Sequence, residues 1–322
     1  MVARLAREPG ADARPWPPAR VADPLADDDF QLALACCYEL SYRGFAGVDD
    51  RWEWDPSLLG FRLELEREFE AAIRDAVGPI ERPFGPEGPS RRLVAMSEDD
   101  DGPSLSRFLA REASLDQFRE FAIHRSIYTL KEADPHSFVI PRLEGAAKAA
   151  LVEIQADEYG GGDADRMHAT IFGRTLRSLG LSDTYGAYLD AVPGTTLATV
   201  NLVSLFGLHR RLRGAAMGHL ALFELTSAVP NRRYGNGLRR LGMSEDATHY
   251  YDEHVEADSV HDMIAAYDLV GAMVRDDQSL GDEILFGALA LGWVESAFAQ
   301  QLMQAWRDGR SSLRGDPLRV AN

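Results

Sequence analysis

The chain has 322 residues and a mass of 35.6 kDa, with 45% hydrophobic and 26% charged residues, a globular usage that excludes disorder throughout. Asp and Glu outnumber Lys and Arg by 51 to 34, so the net charge of −17 disfavours binding to nucleic acid or anionic lipid. No apolar run approaches the roughly 20 residues of a transmembrane helix, so no membrane location is predicted.

The N-terminal segment, residues 1–25, is predicted to be a disordered tail. It begins MVARLAREPGADARPWPPAR, in which Arg, Pro and Gly are scattered and the apolar core of a secretion signal is missing. The two cysteines, Cys36 and Cys37, are adjacent and cannot connect distant parts of a fold. These features predict a protein of a reducing compartment, the cytoplasm.

Helical periodicity runs along nearly the whole chain. The stretch 58–77, LLGFRLELEREFEAAIRDAV, repeats its apolar residues at helical spacing. The Pro- and Gly-rich segment 78–90 and an acidic run at 98–101 separate this N-terminal part from the helical stretches that follow Ser114. Strand-like alternation is nearly absent, so the sequence predicts an all-α fold.

Two local signals predict where one helix ends, at Pro230, and where the next helix begins, after Ser244. Pro230 is predicted to end one helix, because proline lacks the N–H that the helical ladder requires. Ser244, followed by Glu245 and Asp246, is predicted to cap the start of the next helix.

Three side chains able to bind a metal lie on one face of that next helix. In HVEADSVH, His254, Asp258 and His261 stand at positions i, i+4 and i+7, within about 60° of one another at 100° per residue. Buried ionisable groups on a stripe that faces the core are costly unless they are paired or bind a metal. The spacing favours a metal site, and a solvated polar face with two chance histidines stays open as the alternative.

A second candidate pair is Glu158 and His168 in DEYGGGDADRMH. On one straight helix these residues would be about 15 Å apart and would point in different directions. The three glycines between them, residues 160–162, can end one helix at Tyr159 and let Asp163 or Asp165 start another, which folds the two side chains toward one point. A plain loop beside a surface acid is the alternative.

Two further acids, Glu132 and Glu224, stand where the helical pattern expects core residues. Each alone is typical of a salt-bridged side chain or of one that reaches solvent. Together with the His/Asp/His face, they match the carboxylates and imidazoles with which helical bundles build di-iron or di-manganese cores. The standard ferritin-like bundle carries Glu-x-x-His on two helices and is disfavoured, because among the candidate ligands only Asp258 and His261 have this carboxylate-to-His spacing.

The chain resembles the haem-oxygenase-like di-iron oxidases, also called iron-containing redox enzymes. The resemblance runs from about Phe30 to Trp306 and includes YELSYRGFAGVDDRWEWDPSLL, KEADPHSFVIPRL, IQADEYGGG, GAAMGHLALFE and YYDEHVEADSVH. The ligand pattern of that family is Glu, then Glu with a His ten residues later, then Glu, then His-x3-Asp-x2-His. The matching positions, none of them substituted, are Glu132, Glu158, His168, Glu224, His254, Asp258 and His261.

The resemblance implies a haem-oxygenase-like helical bundle without haem, which holds two irons through shared carboxylates. It places the di-iron oxidase core at 101–310 and makes 26–100 an N-terminal helical extension. Loosely held iron that assembles with reductant and substrate is also implied. One iron is expected on Glu132, Glu158 and His168, and the other on residues from His254, Asp258 and His261, with Glu224 bridging or shared.

An O2-dependent oxidoreductase that uses an external electron donor follows from the same resemblance. Known relatives N-oxygenate amines or guanidines of amino acids, or cleave C–C bonds of fatty acids or amino acids to give alkenes. The extra carboxylate Glu158 favours N-oxygenation of an amino acid or amine in natural-product biosynthesis, with C–C cleavage as the alternative. A non-catalytic helical module that binds metal or haem is the alternative from another class.

Residues outside the ligand set give three further expectations, each with an alternative. Three tyrosines lie beside ligands and are either their hydrogen-bond partners or core residues: Tyr159, Tyr250 and Tyr251. Two arginines, Arg125 and Arg210, are either binding groups for a substrate carboxylate or solvated surface residues.

The final helix is apolar and carries Trp293, Phe298 and Trp306. It either forms a homodimer interface or belongs to the core.

Overall fold

A computed structural model of the chain describes residues 1–11, 14–81, 85, 87–98 and 104–315, without the side chains of residues 2 and 257–260. Within these ranges all regular secondary structure is helical, which confirms the predicted all-α class. None of the described helices is long and apolar enough to cross a membrane.

The regular elements follow one another in a single helical series. The α-helices are α1 (Val2–Leu5), α2 (Asp28–Glu39), α3 (Pro56–Val77), α4 (Gly88–Glu98), α5 (Leu105–Arg111), α6 (Leu115–Thr129), α7 (Asp134–Ser137), α8 (Gly145–Glu158), α9 (His168–Ser178), α10 (Gly194–Leu208), α11 (Arg213–Arg240), α12 (Glu245–Met263), α13 (Val270–Asp276) and α14 (Gly281–Arg307). Single 3-10 turns lie at Asp50–Trp54, Ile140–Arg142, Gly160–Gly162, Leu189–Ala191, Arg210–Leu212 and Gln278–Leu280, and a π-helical turn, Ile264–Leu269, joins α12 to α13.

Local signals in the sequence set the starts of several helices. The side chain of Asp27 accepts a hydrogen bond from the backbone N–H of Phe30 at 2.9 Å and so caps α2. A capping box opens α6, in which Ser114 and Gln117 each accept from the other's backbone N–H. The predicted start of α12 after Ser244 is confirmed, although that serine side chain makes no capping hydrogen bond.

Pro230 does not end a helix, which corrects the sequence-based prediction. Helix α11 continues through this residue from Arg213 to Arg240. Proline has no N–H, so the carbonyl of Thr226, one turn earlier, loses its α-helical donor. Ala221 before the proline and Leu238 after it are both fully buried, and packing on both sides holds the helix together despite the lost bond.

Helix α11 lies at the centre of the bundle, where it packs against α5, α12 and α14. Glycines bring it close to α14: a Cβ added at Gly218 would lie 1.8 Å from the carbonyl oxygen of Ile284. In the other direction, a Cβ added at Gly287 would lie 1.9 Å from the carbonyl oxygen of Ala215. The two helices therefore meet backbone to backbone at these glycines, which leaves α11 little room to shift relative to α14.

The described part of residues 1–25 lies against α3 and the turn before it. Leu5 is fully buried, and the ring of Trp16 stacks on that of Phe61 with centroids 5.2 Å apart. The indole nitrogen of Trp52 donates to the carbonyl of Arg7 at 2.8 Å. The division of the chain at residues 26 and 101 stays a prediction.

Two of the three aromatic residues that suggested a homodimer are core residues. Phe298 is 1% exposed and Trp306 9% exposed. Their apolar character is therefore explained by packing within one chain, and association of two chains stays a prediction. Cys36 and Cys37 are also buried, and both are free thiols.

Candidate metal centre

Four of the seven predicted ligands converge in the interior of the bundle. Glu132, Glu158, His168 and His254 each offer one ligand atom, and these atoms all lie within 4.8 Å of one another. All four side chains are buried, with exposures between 3% and 8%. They form what we call the first ligand group.

A glycine turn brings two members of this group together. Helix α8 ends at Glu158 and α9 begins at His168, rather than at Asp163 or Asp165 as the sequence suggested. Gly160 has a φ of 67°, and a Cβ added there would lie 2.7 Å from the backbone nitrogen of Met167. The chain therefore turns back tightly on itself and places His168 Nδ1 3.0 Å from Glu158 Oε2.

The facing atoms of this pair fit a bound cation. Glu158 Oε2 and His168 Nδ1 are buried, and their contact lacks hydrogen-bond geometry, so neither has a hydrogen-bond partner among the described residues. Buried polar atoms in proteins are almost always hydrogen-bonded. A carboxylate oxygen and an imidazole nitrogen that face each other without such a bond are typical of metal ligands, and a mixed set of carboxylates and imidazoles suits iron, manganese or zinc. The residues present therefore fit iron.

Charge interactions within the pair oppose the effect of burial. Burial alone would raise the pKa of Glu158, but the neighbouring His168 outweighs it and holds this pKa below its ordinary value. Burial alone would lower the pKa of His168, but Glu158 outweighs it and raises this pKa. The carboxylate is thus held in the anionic form that binds a cation, while the imidazole must release its proton before it can bind a metal.

Tyr250 orients two other members of the group. Its hydroxyl donates to Glu132 at 2.8 and 3.1 Å, and its carbonyl lies 2.9 Å from His254 Nδ1. Because a carbonyl can only accept, His254 Nδ1 carries the proton, and Nε2 turns its lone pair toward Glu132 at 3.7 Å. Burial, with help from Glu132 and Glu158, keeps the pKa of Tyr250 well above its ordinary value, so the hydroxyl remains a donor. Tyr250 is thus both a core residue and a hydrogen-bond partner of the ligands.

Two more predicted ligands, Glu224 and His261, form a second ligand group. Both are buried, and His261 Nδ1 lies 3.8 Å from Glu224 Oε2. The other ring nitrogen, Nε2, lies 2.8 Å from Asp157 Oδ2 and donates its proton to that carboxylate. His261 Nδ1 therefore faces Glu224. The remaining predicted ligand, Asp258, belongs to α12, but its side chain lies outside the described part of the structure.

A narrow cavity of about 10 Å³ connects the two groups. It is lined by Glu224 and by three members of the first group, including Glu158 and His254. Its volume suits a single small atom or ion. The arrangement agrees with Glu224 as a carboxylate shared between two sites. It differs from the expected division of ligands, because His254 lies with the first group and not with His261.

Three residues near the ligands were not predicted from the sequence: His136, His219 and Asp157. His136 lines the narrow cavity, and its Nε2 lies 3.3 Å from Nδ1 of His219. Burial lowers the pKa of both imidazoles, to about 3 for His219, so the pair is neutral. The spacing of His136 four residues after Glu132 was a usable signal. Asp157, which orients His261, gave none, because an acid next to another acid is ordinary on a helix surface.

A larger cavity of about 370 Å³ opens beside Glu132 and His254. It lies among α6, α9, α11, α12 and α14, and a volume of this size suits a small organic molecule. Arg125 lines it, whereas Arg210 is exposed at the surface. The walls are mainly aromatic and aliphatic, and they include Phe121, Tyr128, Phe172, Leu222, Phe223 and Leu291.

Comparison with known proteins agrees with this site. The sequence model of a family described as iron-containing redox enzymes matches residues 119–295, which contain all seven predicted ligands. Over 192 residues the chain is 28% identical to a nitrosourea synthase from Streptomyces achromogenes subsp. streptozoticus. That match covers 58% of this chain but only 40% of the length of the relative. The match to more than half of the chain shows that this protein is an oxidoreductase with a haem-oxygenase-like fold and belongs to the family of iron-containing redox enzymes.

Proposed function

We propose that the chain is a non-haem di-iron oxygenase that transfers an oxygen atom from O2 to a nitrogen atom of an amino acid or amine in natural-product biosynthesis. The observation that carries the proposal is that the first ligand group meets the larger cavity at Glu132 and His254. The similarity to a nitrosourea synthase supports nitrogen as the atom oxidised, because a nitrosourea contains an oxidised nitrogen.

In this proposal the first ligand group holds one iron and the second group, with Asp258, holds the other. Glu224 is shared, since it lines the narrow cavity between them. Iron held by these residues would supply the redox chemistry that activates O2. The overall reaction balances as one amine, O2, two electrons and two protons giving one hydroxylamine and one water. The two electrons come from an external reductant, which is the predicted electron donor.

The protein's own residues have three tasks in this reaction. Tyr250 fixes Glu132 and His254 through its hydroxyl and its carbonyl. The mainly apolar walls of the larger cavity offer the substrate an apolar surface beside Glu132 and His254. Arg125 supplies a charged group for binding the substrate at the cavity wall.

Anaerobic loading with Fe(II), followed by an O2 pulse, tests the proposal. We expect about two irons per chain by metal analysis and Mössbauer spectroscopy, since two ligand groups are present. With a reductant and a panel of amino acids and amines, mass spectrometry should detect a product that gains one oxygen atom from ¹⁸O2. An alkene with loss of the substrate carboxyl would instead establish C–C cleavage.

A matched pair of variants gives the control. His254 and His249 lie on the same helix, but His254 is buried in the first group and His249 is exposed. His254→Ala should lose iron while His249→Ala keeps it. No iron uptake by the parent, with both variants behaving like it, would overturn the proposal and leave a non-catalytic helical module.

A further inference from the structure

The larger cavity has two chemically different ends. Glu132 and His254 form one end. At the other end, Arg125 Nη1 and Nη2 donate to the two carboxylate oxygens of Glu295 at 2.9 and 2.6 Å. Arg125 lies on α6 about one turn before this helix ends at Thr129, whereas Glu132 lies in the turn that follows the helix, so the two residues stand at different levels of the cavity wall. A molecule that reaches both ends is therefore extended and not compact.

The end that carries Arg125 also holds one polar group without a hydrogen-bond partner among the described residues. The hydroxyl of Tyr251 is buried and has no hydrogen-bond partner among the described residues, although Tyr251 lines the cavity. The ring of Tyr234 lies beside it, with centroids 5.6 Å apart. Buried hydroxyls are normally paired, so a ligand with polar atoms at this end would complete the site.

Pro230 in α11 leaves a backbone acceptor beside the cavity. Thr226 and Pro230 both line the cavity. Because proline donates no hydrogen bond, the carbonyl of Thr226 loses its α-helical donor. A backbone carbonyl in this situation is a suitable acceptor for an ammonium group.

The ion pair itself selects the charge of the ligand. Arg125 and Glu295 form an ion pair whose opposite charges sum to zero, and their side chains are 20% and 28% exposed. A simple carboxylate bound to Arg125 would lie beside the carboxylate of Glu295, and a simple amine bound to Glu295 would lie beside the guanidinium. A zwitterion satisfies both partners, because its carboxylate accepts from Arg125 while its ammonium donates to Glu295.

We propose that the end of the cavity formed by Arg125, Glu295 and Tyr251 binds the zwitterionic head group of an α-amino acid, and that the far end of the substrate side chain lies at Glu132 and His254. The inference rests on the proposed function and adds the orientation: the distal atom of the side chain is oxidised and the α-amine is not. The section in between is aromatic, with the rings of Tyr128 and Phe223 5.5 Å apart, so the middle of the side chain is apolar.

The first test compares head groups on a constant side chain. Metal-free protein and anaerobic Fe(II)-loaded protein are titrated by calorimetry with L-phenylalanine, phenethylamine and 3-phenylpropanoate, and with L-tryptophan and its two matching analogues. We expect each amino acid to bind at least about tenfold more tightly than either analogue, since each analogue lacks one of the two charged groups that bind Arg125 and Glu295. Tighter binding of the carboxylates, or no binding of either amino acid, would overturn the proposal.

Variants then assign the two charges. Arg125→Met should weaken the binding of the amino acids and of the carboxylates but not that of the amines. Glu295→Gln should weaken the binding of the amino acids and of the amines but not that of the carboxylates. Arg210→Met is the matched control, because Arg210 is exposed, and its affinities should equal those of the parent. Equal affinities in Arg125→Met and the parent would contradict the assignment. The comparison of ligands on the parent protein needs no variant and stands even if a variant fails to fold.

The orientation is tested by paramagnetic relaxation in NMR. With Mn(II) in place of iron, the para proton of bound L-phenylalanine should relax much faster than its α proton, because relaxation falls steeply with distance from the metal. The reverse order would place the head group at the metal and overturn the proposed orientation. Failure of the protein to take up any metal would instead refute the proposed function, while the head-group preference of the metal-free protein would still be measured.

Discussion

The two ligand groups differ in what holds their side chains in place. In the first group, His254 is oriented by a backbone carbonyl and Glu132 by a buried hydroxyl. In the second group, His261 is oriented by Asp157, whose side chain is 61% exposed. Hydrogen bonds inside the core are shielded from water and ions, whereas a bond to an exposed carboxylate is screened by both. The side chains of the first group are therefore held in place by buried hydrogen bonds, whereas the orientation of His261 in the second group depends on a hydrogen bond to an exposed carboxylate.

Helix α12 carries one histidine of each group, and its geometry changes after the second. His261 lies three residues before the π-helical turn Ile264–Leu269. A π-helical turn shifts the faces of a helix and is frequent at functional sites. Here it lets Ala265 and Leu269 pack in the core while His261 faces Glu224. We expect the first group to bind metal more tightly than the second.

Removing a ligand of the first group should have the largest effect. His168→Ala leaves Glu158 without its facing imidazole in a buried site, so we expect loss of iron from this group and no detectable oxygenation. Iron per chain, measured after anaerobic desalting, checks the prediction. His249→Ala is the control, because that histidine is exposed. Retention of the parent's iron content in His168→Ala would remove His168 from the ligand set.

A substitution in the glycine turn should have the next largest effect. Gly160→Ala brings a Cβ within 2.7 Å of the backbone just before His168, so the turn must open and move that ligand. We expect Mn(II) affinity, measured by electron paramagnetic resonance, to fall by about 10–100-fold, as when the support of a ligand is lost.

Its neighbours provide matched controls. Gly161 and Gly162 also have positive φ angles, but a Cβ at either position would meet open space. Gly161→Ala and Gly162→Ala should each cost about 1–2 kcal/mol of unfolding free energy from backbone strain and leave Mn(II) affinity unchanged. Equal losses of affinity in all three variants would show that strain alone, and not the close approach at Gly160, positions His168.

The sequence predicted well which positions carry residues unusual for a core. It predicted less well which helices contact one another. Glu132 and Glu224 were recognisable because each is an acid on an apolar stripe, and both are buried. The joining of Glu158 to His168 followed from the glycines between them. Spacing along one helix does not reveal which helix faces it, so the association of His254 with Glu132 was missed.

Long-range pairs gave no sequence signal. Arg125 and Glu295 are 170 residues apart, and one arginine among many on amphipathic helices looks like a surface residue. Continuation of α11 through Pro230 was also missed, because proline removes a local hydrogen bond while the compensating burial comes from helices distant in sequence.

Removing the hydroxyl that orients Glu132 should have a smaller effect than changing the turn. Tyr250→Phe keeps the packing but deletes the hydrogen bond to that carboxylate, a loss of about 1.4 kcal/mol, which corresponds to about tenfold in Mn(II) affinity. Tyr251→Phe is the matched control, and it should leave Mn(II) affinity unchanged and weaken only amino-acid binding. Lower Mn(II) affinity in Tyr251→Phe would mean that general packing, and not the hydroxyl of Tyr250, supports the site.

The smallest effect is expected for Asp157→Asn. The amide is a weaker acceptor for the proton on His261 Nε2, but the carboxylate that it replaces is well exposed, so water and salt already screen its interaction. The weaker of the two Mn(II) affinities is expected at the second ligand group. We expect this affinity to fall by less than the loss of Mn(II) affinity in Tyr250→Phe, and the difference in affinity between Asp157→Asn and the parent to shrink as the salt concentration is raised. The tighter affinity should not change. A larger and salt-independent loss would show that the second group is as rigidly held as the first, and that exposure of its support does not weaken a metal site in this fold.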